Sequence, residues 1–325
     1  MHRRTALLVA GTLLTLCGPV WSAQSDAYPV RPIRLVIANM SGSAPDTVGR
    51  LIGHGLSELW GQQVVVDNRP GATGLIAADV VARAAADGYT LWLPTMTQLI
   101  ATLKAQKHML VRDFAPVSLV ASTPFVIVVG SQVPVKTLPE WIAYAKARPG
   151  KLSYGSSGMW GSSHLCMHTI NELAGIDVAH VPYKGSVTIL NDIVASRIQV
   201  YCPAAPSLPA FTQNGRVKML AVTYTKPTKL VPDVPPVAET LPGFELLGWY
   251  GLQAPAGTPA HVVAKIHAGL AKVLHKPELA QKLLAVGAEP VGTSPKEFST
   301  FLQEETKRWE KVLRQGGVIL GAQSN

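Results

Sequence analysis

A run of small and polar residues in the middle of the chain, YGSSGMWGSSH from Tyr154 to His164, has the composition of a loop that could hold an anion. Glycine and serine let backbone N–H groups and hydroxyls approach a ligand closely. The apolar-periodic segment after the run predicts a helix, whose N-terminus would add positive partial charge. The segment HVPYKG, from His180 to Gly185, follows that helix. Because such residues also build ordinary turns, the run alone indicates only a candidate site.

Neighbouring serines and histidines raise the alternative of an exported hydrolase. Ser162 or Ser163 would be the nucleophile, with His164 or His180 as the base. The sequence contains no GxSxG elbow, and adjacent side chains on one helical turn do not face each other. It also contains no HExxH or CxxC spacing for a metal. We therefore expect no catalytic residues, no metal and no cofactor.

The number of cysteines and the distribution of charged residues give further information about the kind of protein. Cys17 precedes the predicted mature chain, and we expect Cys166 and Cys202 to be buried free thiols, a single disulfide being the alternative. The formal net charge is +9, and it falls to +7 without residues 1–23, which hold two basic residues and no acidic one. Basic and acidic residues are interspersed, as in ETKRWEKVLR. This pattern predicts a solvated basic surface and no nucleic-acid partner.

The first 23 residues have the order of a cleavable secretory signal peptide. Arg3 and Arg4 precede an apolar stretch from Ala6 to Leu16, and Ala23 suits the cleavage site. The stretch is too short to span a bilayer. We therefore expect the protein to be exported.

Short apolar runs alternate with amphipathic segments, which predicts an α/β fold. A first strand at Ile33 to Ala38 is followed by the loop NMSGSAP and by a helix with Asp46 near its N-terminus. Pro124 interrupts the apolar stretch from Val117 to Gly130, so we expect the chain to cross there into a second domain. The segment Leu247 to Ala254 predicts the strand that returns. The length of 325 residues suits two domains.

Two helix starts are indicated by capping boxes, in which a hydroxyl and a carboxylate three residues apart satisfy each other's backbone N–H groups. Thr137 with Glu140 predicts a helix through Ala147. Ser294 with Glu297 predicts the last helix, with Pro295 in its first turn.

Several blocks, in order and at similar spacings, resemble the Bug receptors, the TctC-like extracytoplasmic solute-binding proteins of tripartite tricarboxylate transporters. Among them are VVVDNRPGATG, HVPYKGS and GLQAPAGTP, and the resemblance covers nearly all of the chain after residue 23. It implies a periplasmic-binding fold of type II, with two α/β domains, a hinge and a ligand cleft between them. With the crossings above, it divides the chain into domain 1 (24–122 plus 247–325) and domain 2 (123–246), with the hinge near Ser122 and Leu247.

The resemblance also implies a function. It predicts a periplasmic receptor that captures a small organic acid and passes it to membrane transporter subunits. Some receptors of this family present their ligand to a sensor instead, so a signalling role is the alternative. We expect a monomer whose domains close around the ligand.

The resemblance places one ligand loop in each domain. In domain 1 the candidate residues are Asn39, Gly42, Ser43 and Asp46, with Thr95 and Gln98 after the third strand. Ser43 stands where the family has a glycine. We expect Asp46 to cap its helix and order the loop, because a carboxylate there would repel an anionic ligand.

In domain 2 the candidate residues are Ser156, Ser157, Met159, Trp160, Ser162, His164 and Pro203. Met159 and Trp160 stand where the family has small or polar residues, and Pro203 where many members have Asp. Together with Met96, these residues predict an apolar cleft and hence a carboxylate on an aromatic or alkyl body. Three interpretations of Trp160 stay open: it stacks on a ligand ring, plugs the pocket or packs beside the hinge.

Overall fold

The structure, a computed structural model, describes residues 28–156, 158–183, 186–224, 228 and 230–317. The predicted signal peptide at 1–23 lies outside the described residues, as do Ser157 and the last two residues of HVPYKG. Within the described part of the chain, no helix combines the length and hydropathy needed to cross a membrane.

The strands are short, and most follow a loop that leads from a helix. In chain order they are β1 (Ile33–Ile37), β2 (Val64–Asn68), β3 (Thr90–Trp92), β4 (Phe114–Thr123), β5 (Val126–Gly130), β6 (Leu152–Ser156), β7 (Val178–Pro182), β8 (Val200–Tyr201), β9 (Val217–Val222), β10 (Gly248–Pro255) and β11 (Glu289–Pro290).

The helices range from one turn to about six turns. In chain order they are α1 (Ala44–Trp60), α2 (Leu75–Ala82), α3 (Met96–Ala105), α4 (Leu138–Lys146), α5 (Ser162–Ala174), α6 (Ser186–Val194), α7 (Pro209–Thr212), α8 (Val237–Thr240), α9 (Ala260–Leu274), α10 (Pro277–Ala285) and α11 (Pro295–Gln315).

The first sheet has six strands in the order β11-β4-β10-β3-β1-β2. Strand β1, IRLVI, lies between β2 and β3, pairs in parallel with both, and is apolar throughout apart from Arg34, as expected for a strand covered on both faces. Apolar residues of α1 and α9 pack on one face, and those of α2, α3 and α11 pack on the other. This burial keeps the carboxyl ends of β1, β2 and β3 together at one edge.

The second sheet has five strands in the order β7-β6-β8-β5-β9. Strand β6 pairs in parallel with β7 and β8, and β5 pairs antiparallel with β8 and β9. Helices α4 and α5 cover one face and α6 covers the other. Both sheets therefore combine parallel strands with helices on two faces, which is the α/β architecture that the sequence predicts.

The chain passes between the sheets at two neighbouring places. Strand β4 ends at Thr123 in the first sheet and β5 begins at Val126 in the second, so the strand is interrupted at Pro124. The return passes from β9 to β10, and Gly248 and Trp249 pair with Thr123 and Ser122. The two segments that cross between the sheets are thus held side by side.

Cys166 and Cys202 form a disulfide, so the prediction of two free thiols was wrong. Their Cα atoms are 6.4 Å apart, and both side chains are fully buried. The sheet order explains the pairing, because β8 lies next to β6 and the helix after β6 can reach its end. A separation of 36 residues in sequence gives no sign of this proximity.

Of the two predicted capping boxes, one forms completely and the other only in part. At α11 the box is complete, because Ser294 N donates to Glu297 (2.8 Å) and Glu297 N donates to Ser294 Oγ (3.3 Å). At α4 only half of it forms: Glu140 N donates to Thr137 Oγ1 (3.3 Å), but the Glu140 carboxylate accepts from Lys136 N (2.6 Å) instead of Thr137 N.

Candidate ligand-binding site

The first ligand loop, residues 39–46, connects β1 to α1 and is organised around a buried carboxylate. Asp46 is only 2% exposed and accepts hydrogen bonds from Gly42 N, Arg50 Nε and Asn68 Nδ2, each at 2.9 Å. Burial would raise the pKa of Asp46, but these hydrogen bonds outweigh it and lower the pKa to about 2. Asp46 is therefore a permanent anion at the start of α1.

The same helix end has a conventional hydroxyl cap. Ser43 Oγ accepts from Asp46 N (3.4 Å) and donates to Met40 O (2.7 Å). Gly42 adopts a left-handed φ of +82°, which a residue with a side chain rarely does. The N-terminus of α1 thus has its own cap and its own negative charge, and both counter the positive end of the helix dipole.

Asn68, at the end of β2, connects the neighbouring strand to this loop. Its Nδ2 donates to Asn39 O (3.0 Å) as well as to Asp46, whereas Asn39 Oδ1 is buried without a hydrogen-bond partner among the described residues. The sequence analysis did not single out Asn68 or Arg50. The only sequence signal for Asn68 is its place at the start of NRPGA, directly after a strand.

Thr95 and Gln98 lie at the start of α3, shortly after the carboxyl end of β3. Gln98 Oε1 accepts from Thr95 N (2.9 Å) and from Thr95 Oγ1 (2.7 Å), which completes a capping box. A Cβ at Gly74 would lie 2.5 Å from Gln98 Cγ, so the glycine makes room for this side chain. Met96 is buried in the core, so the expectation that it makes the cleft apolar was wrong.

The second ligand loop, residues 156–164, connects β6 to α5 and has no carboxylate. Ser156 Oγ lies 2.6 Å from His180 Nε2 and also accepts from Gly158 N (3.2 Å). Gly161 is the N-cap of α5 and provides no side-chain hydrogen bond to the helix. Gly161 therefore gives the N-terminus of α5, whose first residue is Ser162, no hydroxyl cap like that of Ser43, and the first turn of α5 holds no acidic residue like Asp46 in α1.

Three imidazoles lie next to this helix end. The ring of His164 is 4.3 Å from that of His180 and 5.9 Å from that of His168, between centroids. Burial, with smaller contributions from the other two histidines, lowers the pKa of His164 to about 4, and burial also lowers the pKa of His180. His164 Nδ1 is buried and has no hydrogen-bond partner among the described residues. At neutral pH the helix end therefore faces the neutral rings of His164 and His180.

Trp160 packs between two helices. Its ring contacts His164 (centroids 5.0 Å apart) and His168 (5.7 Å), and it lies against Gly316 just after α11. Met159, by contrast, is 60% exposed. This geometry shows the Trp160 ring packed against α5 and the end of α11, and it places the ring against neither Ser122 nor Leu247, where the hinge is predicted.

Pro203 lies directly after Cys202 at the end of β8 and is buried. Its carbonyl accepts from Val126 N (2.9 Å), at the start of β5. The structure thus brings Ser156, Ser162 and His164 together at one edge of the second sheet, as it brings Asn39, Gly42, Ser43 and Asp46 together at one edge of the first.

The Ser156–His180 pair has the spacing of a nucleophile and its base, but its surroundings do not suit catalysis. Ser156 is fully buried, and its hydroxyl is also 3.1 Å from Gly158 O. Among the described residues no carboxylate orients His180, whose ring stacks on Tyr154.

The comparisons with known proteins agree with this architecture. The model of the tripartite tricarboxylate transporter family receptor, TctC, matches residues 48–318. The chain belongs to this family. The match confirms the resemblance to the Bug and TctC receptors, a family of periplasmic receptors.

Relatives match over nearly their whole length. A UPF0065 protein in the tcbD-tcbE intergenic region of Pseudomonas sp. strain P51 is 35% identical over 94% of this chain and 93% of its own. R. palustris Rpa4515 with adipate superposes with a TM-score of 0.76 at 34% identity, covering 90% of this chain and 99% of that one. MatC (Rpa3494) from Rhodopseudomonas palustris with bound malate gives 0.73 at 31%, covering 88% and 100%. These neighbours confirm the predicted fold class.

Proposed function

We propose that this protein is a periplasmic receptor that binds a small carboxylate between its two domains, residues 24–122 plus 247–325 and residues 123–246. It would deliver the ligand to the membrane subunits of a tripartite transporter and act as a monomer, without a cofactor and without catalysis. Membership of the TctC family and the adipate and malate bound by two structural relatives support this proposal.

The observation that carries the proposal is the uncapped N-terminus of α5. Gly161 provides no side-chain hydrogen bond to the helix and the first turn of α5 contains no acidic residue, so the backbone N–H of Ser162, beside the neutral His164, can donate to a ligand carboxylate. At the start of α1, Asp46 would repel the same group. We therefore assign the ligand's negative charge to the second ligand loop.

The rest of the ligand would meet apolar side chains at the exposed parts of both loops. Met40 is 72% exposed on the first ligand loop and Met159 is 60% exposed on the second. Methionine adapts its shape to an apolar surface. We therefore propose an alkyl or aromatic body for the ligand, a preference that rests on these two residues, since Met96 is in the core.

A single substitution tests the site at α5. Gly161→Asp would place a carboxylate at the N-cap, where Asp stabilises a helix. We expect the thermal midpoint to stay the same or rise while carboxylate binding weakens by tenfold or more. Gly161→Asn is the matched control, because it supplies a cap without the charge and should retain most of the binding.

The ligand class is tested by the shift in thermal midpoint with adipate, malate, citrate and benzoate, since a ligand that binds only the folded state stabilises it. We expect the largest shift with adipate or benzoate. Stabilisation by citrate alone would contradict the apolar preference. Equal binding by Gly161→Asp and Gly161→Asn would contradict the α5 site, and no shift with any of these acids would count against a carboxylate receptor.

A further inference from the structure

Trp160 connects the second ligand loop to the end of the last helix. We propose that Trp160 and Gly316 form an interdomain latch, in which Trp160 is a positioning residue that holds the loop so that the N-terminus of α5 is presented to the cleft. The importance of the loop for binding rests on the proposed function. The contact itself is argued from the geometry below.

The backbone of Trp160 is the first observation. Its φ is +63°, in the left-handed region, where bulky side chains are rare. Such a conformation persists only where surrounding contacts enforce it, and it is common where a loop has a functional shape. The ring contacts with His164 and His168, both on α5, fix one side of the indole.

The contact on the other side of the indole ring explains why residue 316 is a glycine. A Cβ at Gly316 would lie 2.4 Å from Trp160 Cη2 and 2.9 Å from Cζ3. The φ of Gly316 is −76°, a conformation that every residue adopts readily. The backbone therefore does not require glycine at this position, whereas the indole ring does.

The two partners belong to different sheets. Helix α11 is anchored on the first sheet, because Trp249 Nε1 of β10 and Trp309 Nε1 of α11 both donate to the buried Glu305 (3.2 and 3.0 Å). Trp160 belongs to the loop between β6 and α5 of the second sheet. The latch is thus a contact between the domains that is separate from the two strand crossings, and it couples the shape of the loop to the relative position of the domains.

Hydrogen exchange of the ligand-free protein tests the latch without a known ligand. Gly316→Ala should speed exchange of the amides in residues 158–164 by tenfold or more and leave β1 unchanged. In a Trp160→Phe background, whose shorter ring does not reach Gly316, adding Gly316→Ala should change exchange less than twofold. Gly53→Ala is the matched control, because its Cβ would meet only Val64, at 3.4 Å.

The outcomes are decisive in both directions. Unchanged exchange in Gly316→Ala, or an equal effect of Gly316→Ala in both backgrounds, would overturn the proposal. If Gly316→Ala does not fold, the single variant Trp160→Phe takes its place, since it too should loosen residues 158–164 selectively, and uniform or unchanged exchange would contradict the latch. Failure of the carboxylate receptor would appear in the Gly161→Asp comparison and would leave this result unaffected.

Discussion

The two ligand loops have the same topology and opposite electrostatics. Each connects the carboxyl end of a parallel strand to the N-terminus of a helix. In the first, Ser43 and Asp46 satisfy and neutralise α1, whereas in the second Gly161 leaves α5 open beside the neutral His164. The difference teaches that two loops at similar places in the two sheets can have helix ends of different charge, which is why the proposed function assigns the ligand's carboxylate to the second loop.

The means by which the loops are fixed also differ. Hydrogen bonds from Arg50 and Asn68 hold Asp46 in the first loop. A disulfide joins Cys166 of α5 to Cys202 at the end of β8 and so fixes the helix that follows the second loop. The second loop should therefore respond to a reductant, whereas the first should not.

The largest expected effect is that of the disulfide. Because the cross-link restricts the unfolded chain, replacing both cysteines with alanine should lower the free energy of unfolding by about 2–4 kcal/mol. Urea unfolding with and without dithiothreitol measures it, and the double variant should not respond to the reductant. Hydrogen exchange should rise in the second loop and not in the first. Equal stability after complete reduction would show that the bond adds no constraint.

The second-largest expected loss of stability is that caused by removing the charge of Asp46. Asp46→Asn should lower the free energy of unfolding by about 2–3 kcal/mol, because Arg50 and Gly42 lose a buried ionic acceptor. Asp79→Asn is the control and should cost less, since the Asp79 carboxylate is partly exposed in its contacts with Arg83, Lys107 and His108. Similar losses in the two variants would mean that Asp46 does not organise the first loop.

Acid should affect the second loop through His164 at a higher pH than it affects Asp46. The pKa of His164 is about 4 in the folded protein and about 6.5 when unfolded, so the unfolded state binds more protons between these values. Stability therefore falls as the pH decreases from about 6.5 to 4, by about 1–3 kcal/mol. Asp46, with a folded pKa of about 2, contributes a further loss only at lower pH.

Urea unfolding at pH 7 and at pH 4.5 measures this dependence, and His164→Asn should flatten it. If the variant retains the full slope, another group is responsible, and the neutral character of this helix end would need a different explanation.

The smallest effect concerns the caps alone. Ser43→Ala removes the hydroxyl cap of α1 and should lower the free energy of unfolding by about 1 kcal/mol, whereas Gly161→Ser adds a hydroxyl at the N-cap of α5 and should raise it by roughly 0.3 kcal/mol. Thermal unfolding of the two variants side by side measures the difference. A loss of stability in Gly161→Ser would contradict the description of Gly161 as an N-cap without a side-chain hydrogen bond.

Sequence patterns predicted those features of the fold that depend only on residues close together in the chain. The interruption at Pro124, the strands on either side of it and the capping box at Ser294 follow from proline chemistry, apolar runs and side-chain spacing. The disulfide was missed because it depends on β8 lying beside β6. The contact of Trp160 with Gly316 was missed for the same reason, since it joins residues from two sheets. Met96 was assigned to the cleft because apolar residues near a loop cannot be told from core residues by sequence alone.

The pairing of the two crossing strands limits how the domains can move. Thr123 and Ser122 pair in register with Gly248 and Trp249, so the two connections leave the first sheet side by side, and we expect them to act as one hinge. Twisting or sliding would break this ladder, whereas bending about it would not. A captured ligand should therefore shrink the radius of gyration in solution scattering while distances within each domain stay constant.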